Sequence, residues 1–212
     1  MKPALIFDLD GTLWDASKQI TDAWRIVGQK YFGPGYRLTQ ETVMGLMGKT
    51  MSEIAFSLTP RDASKEVADA FVDECFEFER EYLALEPGVP FPHEIETLQD
   101  LTRDFDLYIV SNCQAGYIET FLPLVPPNTF LDHKCWSDTK KDKQFTIRLL
   151  MDVLGIEEAV YFGDTEKDEA ASRATGIRFV HAAYGFGNAN RPDAVVYSFA
   201  ELPRVLRALC LR

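Results

Sequence analysis

Five short apolar runs, at residues 4–7, 107–110, 160–162, 177–180 and 194–197, alternate with stretches of helical period. Ile147, Leu150 and Leu154 precede the third run, and Leu202, Leu206 and Leu209 follow the last. Strands that alternate with helices fold by right-handed crossovers into a parallel sheet covered on both faces. Such a sheet binds ligands beyond the carboxyl ends of its strands. The ends of these runs are therefore where function is expected.

The alternation breaks once. Between about residues 15 and 84, Ile20, Trp24, Val27 and Tyr31 recur at helical spacing, as do Val67, Phe71, Cys75, Phe78 and Tyr82. Each series marks one apolar face of an amphipathic helix. Thr59-Pro60 with Asp62 has the pattern of a capped helix start. Residues 85–89, Leu-Glu-Pro-Gly-Val, read as a hinge. The fold class expected is α/β: a Rossmann-like parallel sheet core with helices on both faces, residues 1–14 and 85–212, plus an inserted all-helical domain, residues 15–84.

Among 212 residues, 33 are acidic and 22 basic, a formal net charge of −11. That balance speaks against nucleic acid, whose binders need a basic surface. It speaks equally against docking on anionic membranes. No stretch approaches the ~18 apolar residues of a membrane span. The four apolar residues before Asp8 are too few for the core of a signal peptide. Cys75, Cys113, Cys135 and Cys210 form no CxxC pair and share no metal-ligand spacing with His93, His133 or His181. Reduced thiols in a cytoplasmic protein are the expectation.

Four clusters carry chemistry. Asp8 and Asp10 end the first apolar run, where a strand buried on both faces should stay apolar; strand alternation would put both on one side of the pleat. Two close carboxylates repel unless a cation or a retained proton relieves them. Gly11 frees the backbone to turn, and Thr12 offers an anion a hydroxyl and an N–H. Asp164 and Asp168, one helical turn apart, follow the 160–162 run, although an N-cap would also explain Asp164. A second acidic pair strengthens the case for a divalent cation, and Mg²⁺ suits oxygen ligands and phosphate. Ser111-Asn112 ends the 107–110 run and could donate to phosphate. Lys140-Lys141-Asp142-Lys143 places lysines before a helix, and one of them would offset the acidic charge.

Hydrophobic-hydrophobic-Asp-x-Asp-Gly-Thr, then Ser-Asn, then Lys, then Gly-Asp-x3-Asp, in this order along the whole chain, resembles the haloacid dehalogenase superfamily. The helical insertion after the first motif resembles the cap of the subgroup containing phosphoglycolate phosphatases and β-phosphoglucomutases. The run Ala183-Tyr184-Gly185-Phe186-Gly187 looks like its phosphatase members. The resemblance implies that Asp8 is a nucleophile forming an aspartyl-phosphate, with Asp10 as general acid and then base. Mg²⁺ would be held by Asp8, the Asp10 backbone carbonyl and Asp164, with Asp168 orienting its water shell. Thr12, Ser111 and Asn112 would bind phosphoryl oxygens. The motif lysine would be Lys143, with Lys141 as alternate.

The same resemblance makes residues 44–50 a specificity loop, in which Lys49 could meet an anionic leaving group. Asp10 favours an oxygen leaving group, because the dehalogenases and phosphonate-cleaving members lack this second Asp. Thr12 favours hydrolysis over a phosphomutase. The expected activity is Mg²⁺-dependent hydrolysis of a small-molecule phosphate by a monomer or small homo-oligomer. The alternatives are a β-phosphoglucomutase-type mutase, or a phosphoacceptor or binding domain without turnover.

Overall fold

The computed structural model describes residues 2–49 and 51–210. The chain divides into two compact units: Met1–Asp15 with Pro90–Arg212, and Ala16–Val89. Thr50, at the end of the expected specificity loop, lies outside the described residues, as does the side chain of Cys210.

The first unit is built on a six-stranded sheet. Across it run Asp132–Cys135, Asp106–Ser111, Ala4–Phe7, Ala159–Gly163, Arg178–Ala182 and Ala194–Val196, every neighbouring pair parallel. The strand order reverses around Ala4–Phe7, which pairs with Asp106–Ser111 on one side and Ala159–Gly163 on the other. That central strand is fully buried, as a doubly covered strand requires. Its side chains alternate between two layers. Ala4 and Ile6 join Tyr108, Val110, Tyr161 and Phe179 against Ile147 and Leu150 of helix Lys143–Leu154 and Ala171 of helix Glu166–Thr175. Phe7 points the other way, into an aromatic layer where it meets Phe130 and Phe162 edge-on at 5.7 and 5.8 Å. Each such buried ring contributes on the order of 1.5–3 kcal/mol.

The strand Asp132–Cys135 was not among the expected runs. Its sequence, Asp-His-Lys-Cys, is polar and only Cys135 is buried. An edge strand needs no apolar face on both sides, so hydropathy misses it.

In the second unit, helices Ser17–Phe32 and Lys65–Leu85 pack along their apolar faces. Trp24 meets Phe76 at 6.0 Å, and Phe71 sits against Tyr31, Phe32 and Tyr36. The buried stripe of the long helix is Phe71, Val72, Cys75, Glu79 and Leu83, rotated slightly from the expected series, and Val67 is exposed. The expected start at Thr59-Pro60 is corrected. Thr59 follows the helix Met51–Leu58 and its hydroxyl donates back to Ala55 O at 2.8 Å. Ser64 caps the next helix instead, accepting from Val67 N. Among the described residues no helix is long and apolar enough to cross a membrane.

One buried acid in the α/β unit lies away from the strand ends. Glu94 opens helix Glu94–Leu101 and is 1% exposed. One of its oxygens accepts from Phe91 N at 3.2 Å, and the other has no hydrogen-bond partner. Burial pushes its pKa up to about 9. The folded state thus holds a proton that the unfolded chain releases near pH 4.5, so this group lowers stability as pH rises between those values. Glu94→Gln is expected to unfold at higher denaturant than wild type at pH 8, by on the order of 1–3 kcal/mol. The difference should vanish near pH 4; urea titrations at the two pH values measure it.

Candidate active site

The pleat of the central strand stops at Phe7, although Asp8 N still donates to Phe162 O at 2.9 Å. The chain then coils around Leu9 O, which accepts from Thr12, Leu13 and Trp14 N–H groups. The strand thus ends before Asp10, whose placement is set by the turn rather than by strand alternation. Asp8 follows Ile6 toward the helix Lys143–Leu154, whereas the turn hands Asp10 to different partners.

Lys143 is the first residue of its helix, after Asp142, which caps it by accepting from Phe145 N at 2.8 Å. An ammonium at a helix N-terminus opposes the macrodipole. Its compensation is local: Nζ lies 2.5 Å from Asp168 Oδ1 and 2.9 Å from Asp8 Oδ1, all three groups being nearly fully buried. Burial works against the charge on Lys143, but Asp168 and Asp8 outweigh it and hold the ammonium above its ordinary pKa. The ring of Tyr161 lies 5.6 Å from Nζ, fixed by its hydroxyl donating to Val110 O at 2.7 Å. Lys141 is exposed, and Lys140 lies over the Trp136 ring at 4.5 Å, so Lys143 is the lysine that the fold brings to the carboxylates.

Asp168 has both oxygens engaged. While Oδ1 takes Lys143, Oδ2 accepts from Thr165 N at 3.0 Å and Thr165 Oγ1 at 2.6 Å. Thr165 and Asp168 form the capping box of helix Glu166–Thr175, so the N-cap is Thr165 and not Asp164. Asp164 is freed for other contacts. Its Oδ2 accepts from Phe186 N at 2.8 Å and Gly187 N at 3.1 Å, while its buried Oδ1 has no hydrogen-bond partner. The loop supplying those amides is anchored by Glu169, which accepts from Asn190 N at 2.6 Å and Arg191 N at 2.9 Å. The approach is so close that a Cβ on Gly185 would stand 2.3 Å from Gly11 O and 2.4 Å from Asp164 Cβ.

Asp8, Asp164 and Asp168 each offer an oxygen within 4.8 Å of the others. Asp164 Oδ1 is buried there without a hydrogen bond, and Asp8 Oδ1 faces the Lys143 ammonium at 2.9 Å without an aligned one. Burial raises the Asp8 carboxyl to about 6 against the pull of Lys143, and burial with the neighbouring Asp168 and Asp8 charges raises Asp164 well above the usual range. Unsatisfied buried oxygens of one sign form a donor set that suits a hard divalent cation. Asp10 is half-buried; its Oδ1 accepts from Tyr117 OH at 2.7 Å and Trp14 Nε1 at 3.0 Å. Burial lifts it to about 7.

Ser111 is buried at the end of its strand, and Asn112 follows half-buried. Thr12 is buried with its hydroxyl unpartnered, but its N–H, expected to serve an anion, donates to Leu9 O at 3.2 Å within the turn. Lys49 belongs to the helical unit, half-buried, its N–H donating to Leu46 O. Sequence reasoning missed Tyr117 and Tyr161, whose hydroxyls act across 107 and 51 residues of chain. It used residues 183–187 only as a likeness, not as the donors to Asp164.

The sequence profile of the haloacid dehalogenase-like hydrolases matches residues 5–182. The chain belongs to that family. A phosphoglycolate phosphatase of Caulobacter vibrioides is 26% identical over 94% of this chain and 89% of its own. Another from Aquifex aeolicus is 25% identical over 95% of each. A haloacid dehalogenase-like hydrolase of Streptococcus pneumoniae superposes with a TM-score of 0.81 at 24% identity, covering 97% of this chain and 98% of that one. The enzyme is a phosphatase of this family, similar to phosphoglycolate phosphatases along its length.

The two glycine environments give a test. Gly185→Ala must displace backbone or Asp164, and a misplacement near 1 Å can cost about 10²-fold in rate. Gly155, at φ 66° with open space around it, loses only conformational ease as Ala, about 1–2 kcal/mol. Aryl-phosphate hydrolysis should therefore fall about 10²-fold in the first variant and hold in the second, whose melting temperature alone drops.

Proposed function

We propose that the protein is a Mg²⁺-dependent phosphomonoesterase of the phosphoglycolate phosphatase kind, working through an aspartyl-phosphate. The observation that carries this is the convergence of two buried carboxylate oxygens at the carboxyl end of the sheet, Asp164 Oδ1 with no hydrogen-bond partner and Asp8 Oδ1 paired with the Lys143 ammonium at 2.9 Å. The names of the curated relatives point to the same substrate class.

In this reading an Asp8 oxygen attacks phosphorus, and the bond to the leaving oxygen breaks. The departing alkoxide takes a proton from Asp10. Asp10 then receives the proton of a water that attacks the aspartyl-phosphate, returning Asp8 as carboxylate and releasing inorganic phosphate. Lys143 counters the charge on Asp8 and on the transferring group. Asp168 holds Lys143 in place through its 2.5 Å contact. Ser111, Asn112 and Thr12 receive phosphoryl oxygens. The fitting ligands for the ion are Asp8, Asp164 and the Asp10 backbone carbonyl; Asp168, with both oxygens engaged, stays outside. Mg²⁺, when bound, supplies charge stabilisation for the transferring phosphoryl group. The helical unit, with Lys49, is assigned substrate selection.

The test is phosphate release from 2-phosphoglycolate and a panel of other metabolite phosphates, with Mg²⁺ and with chelator. Turnover should require the metal, and Asp8→Asn should lose at least about 10³-fold. Stable phosphorylation without turnover, or dependence on a bisphosphate activator, would replace hydrolysis with a phosphoacceptor or a mutase.

A further inference from the structure

Asp10 is held in a way that its neighbour Asp8 is not. Two neutral donors, the Trp14 indole at 3.0 Å and the Tyr117 phenol at 2.7 Å, converge on the same oxygen, Oδ1. Both donors are rigid. Trp14 is fully buried and Tyr117 is 1% exposed. Their rings meet edge-on at 5.7 Å, and Trp14 also rests on Phe121 at 5.4 Å. Tyr117 directly precedes the short helix Ile118–Phe121, so one turn of chain carries both the phenol and the ring that supports the indole. Trp14 reaches Asp10 from the other side, four residues on through the turn around Leu9 O.

An indole has one donor and no acceptor, and an oxygen that accepts two hydrogen bonds has its lone pairs committed. A proton placed on that oxygen would face both donors. Resting on the reading of Asp10 as acid and base, we propose that Trp14 and Tyr117 are positioning residues: they clamp Oδ1 of Asp10 so that the transferred proton is carried on Oδ2. In the first step the bond from phosphorus to the leaving oxygen breaks, its electron pair stays on that oxygen, and the proton of Oδ2 goes to it. In the second step water bonds to phosphorus, the bond from phosphorus to Asp8 breaks, and the water proton returns to Oδ2. The carboxyl thus passes a proton out and back without rotating, because the clamp keeps the same oxygen turned away from the reaction.

In the first step the clamp matters only where the leaving group needs a proton. An alkyl ester such as 2-phosphoglycolate expels a strongly basic alkoxide; 2,4-dinitrophenyl phosphate expels a stable anion. The value of kcat/KM for each ester reports the steps up to loss of the leaving group. Losing one aligned hydrogen bond is worth about tenfold. Tyr117→Phe and Trp14→Phe are each expected to lower kcat/KM at least about tenfold for 2-phosphoglycolate, with the loss in kcat and KM within about twofold. For the dinitrophenyl ester the loss should stay within about threefold. Thermal melts establish which variants fold, and either one decides the matter. Equal losses on both esters, or no loss on either, overturns the clamp. Asp10→Asn separates the two levels. If it too loses both esters alike, the assignment of Asp10 as acid fails and the clamp with it. If it is selective for the alkyl ester while the Phe variants are not, only the clamp fails.

Discussion

The ion pairs of Lys143 with Asp8 and Asp168, out of water at the carboxyl end of the sheet, are the interaction on which the rest of the site depends. Removing a charge from water costs several kcal/mol even after relaxation, and only close opposite charge with additional hydrogen bonds offsets it. Here the offset is distributed. Asp168 takes Lys143 on one oxygen and Thr165 on the other, so its position is set by the helix it helps to cap. Tyr161 lies beneath the ammonium, and its hydroxyl is fixed to Val110 O of strand Asp106–Ser111, on the far side of the central strand. Asp8 alone is left with an oxygen at 2.9 Å from Nζ that makes no aligned hydrogen bond. The arrangement saturates Asp168 and leaves Asp8 and Asp164 each with an oxygen that no aligned hydrogen bond fills.

That asymmetry follows from topology. Parallel strands deliver their carboxyl ends to one edge, and a sheet whose order reverses around its first strand opens a crevice there. Asp8 continues the central strand, Ser111 ends its neighbour on one side, and Asp164 follows its neighbour on the other. Lys143 arrives from the helix that packs on the face carrying Ile6. The same packing that buries Ile6, Ile147 and Tyr161 therefore brings Asp8, Lys143 and Asp164 together at that edge. Core and chemistry share one set of contacts, which is why Gly11, Gly163 and Gly185 have no room for a side chain against Asp164 and Asp168.

Much of this was legible because the strands that matter are doubly buried and hence continuously apolar. Polar residues at their ends stand out in sequence, and Asp8, Asp164 and Lys143 do converge, while Ser111 ends the adjacent strand. What was not legible depended on contacts distant in the chain or on small differences of local geometry. Tyr117 is one aromatic among many until the fold sets it against Asp10. The strand Asp132–Cys135 lacks the hydropathy of its neighbours because it lies at an edge. Thr59-Pro60 and Ser64 both carry capping chemistry, and in the fold Ser64 caps the helix whose Phe71 packs against Phe32. Asp164 and Thr165 competed in the same way for one N-cap. The hydroxyl took it, leaving the carboxylate free to face the crevice.

The two carboxylates two residues apart acquire different characters from the single residue that separates them. A strand that continued past Phe7 would have set both beside Lys143, where their repulsion would have been shared. Instead the chain wraps around Leu9 O, and Asp10 takes its hydrogen bonds from two neutral donors. Burial raises both carboxyls above their ordinary range, and Lys143 pulls against it most strongly at Asp8. In the proposed mechanism the charged partner suits the group that attacks as an anion, and the neutral donors suit the group that holds a proton and releases it. The turn after the strand, as much as the strand itself, thus divides the labour between Asp8 and Asp10.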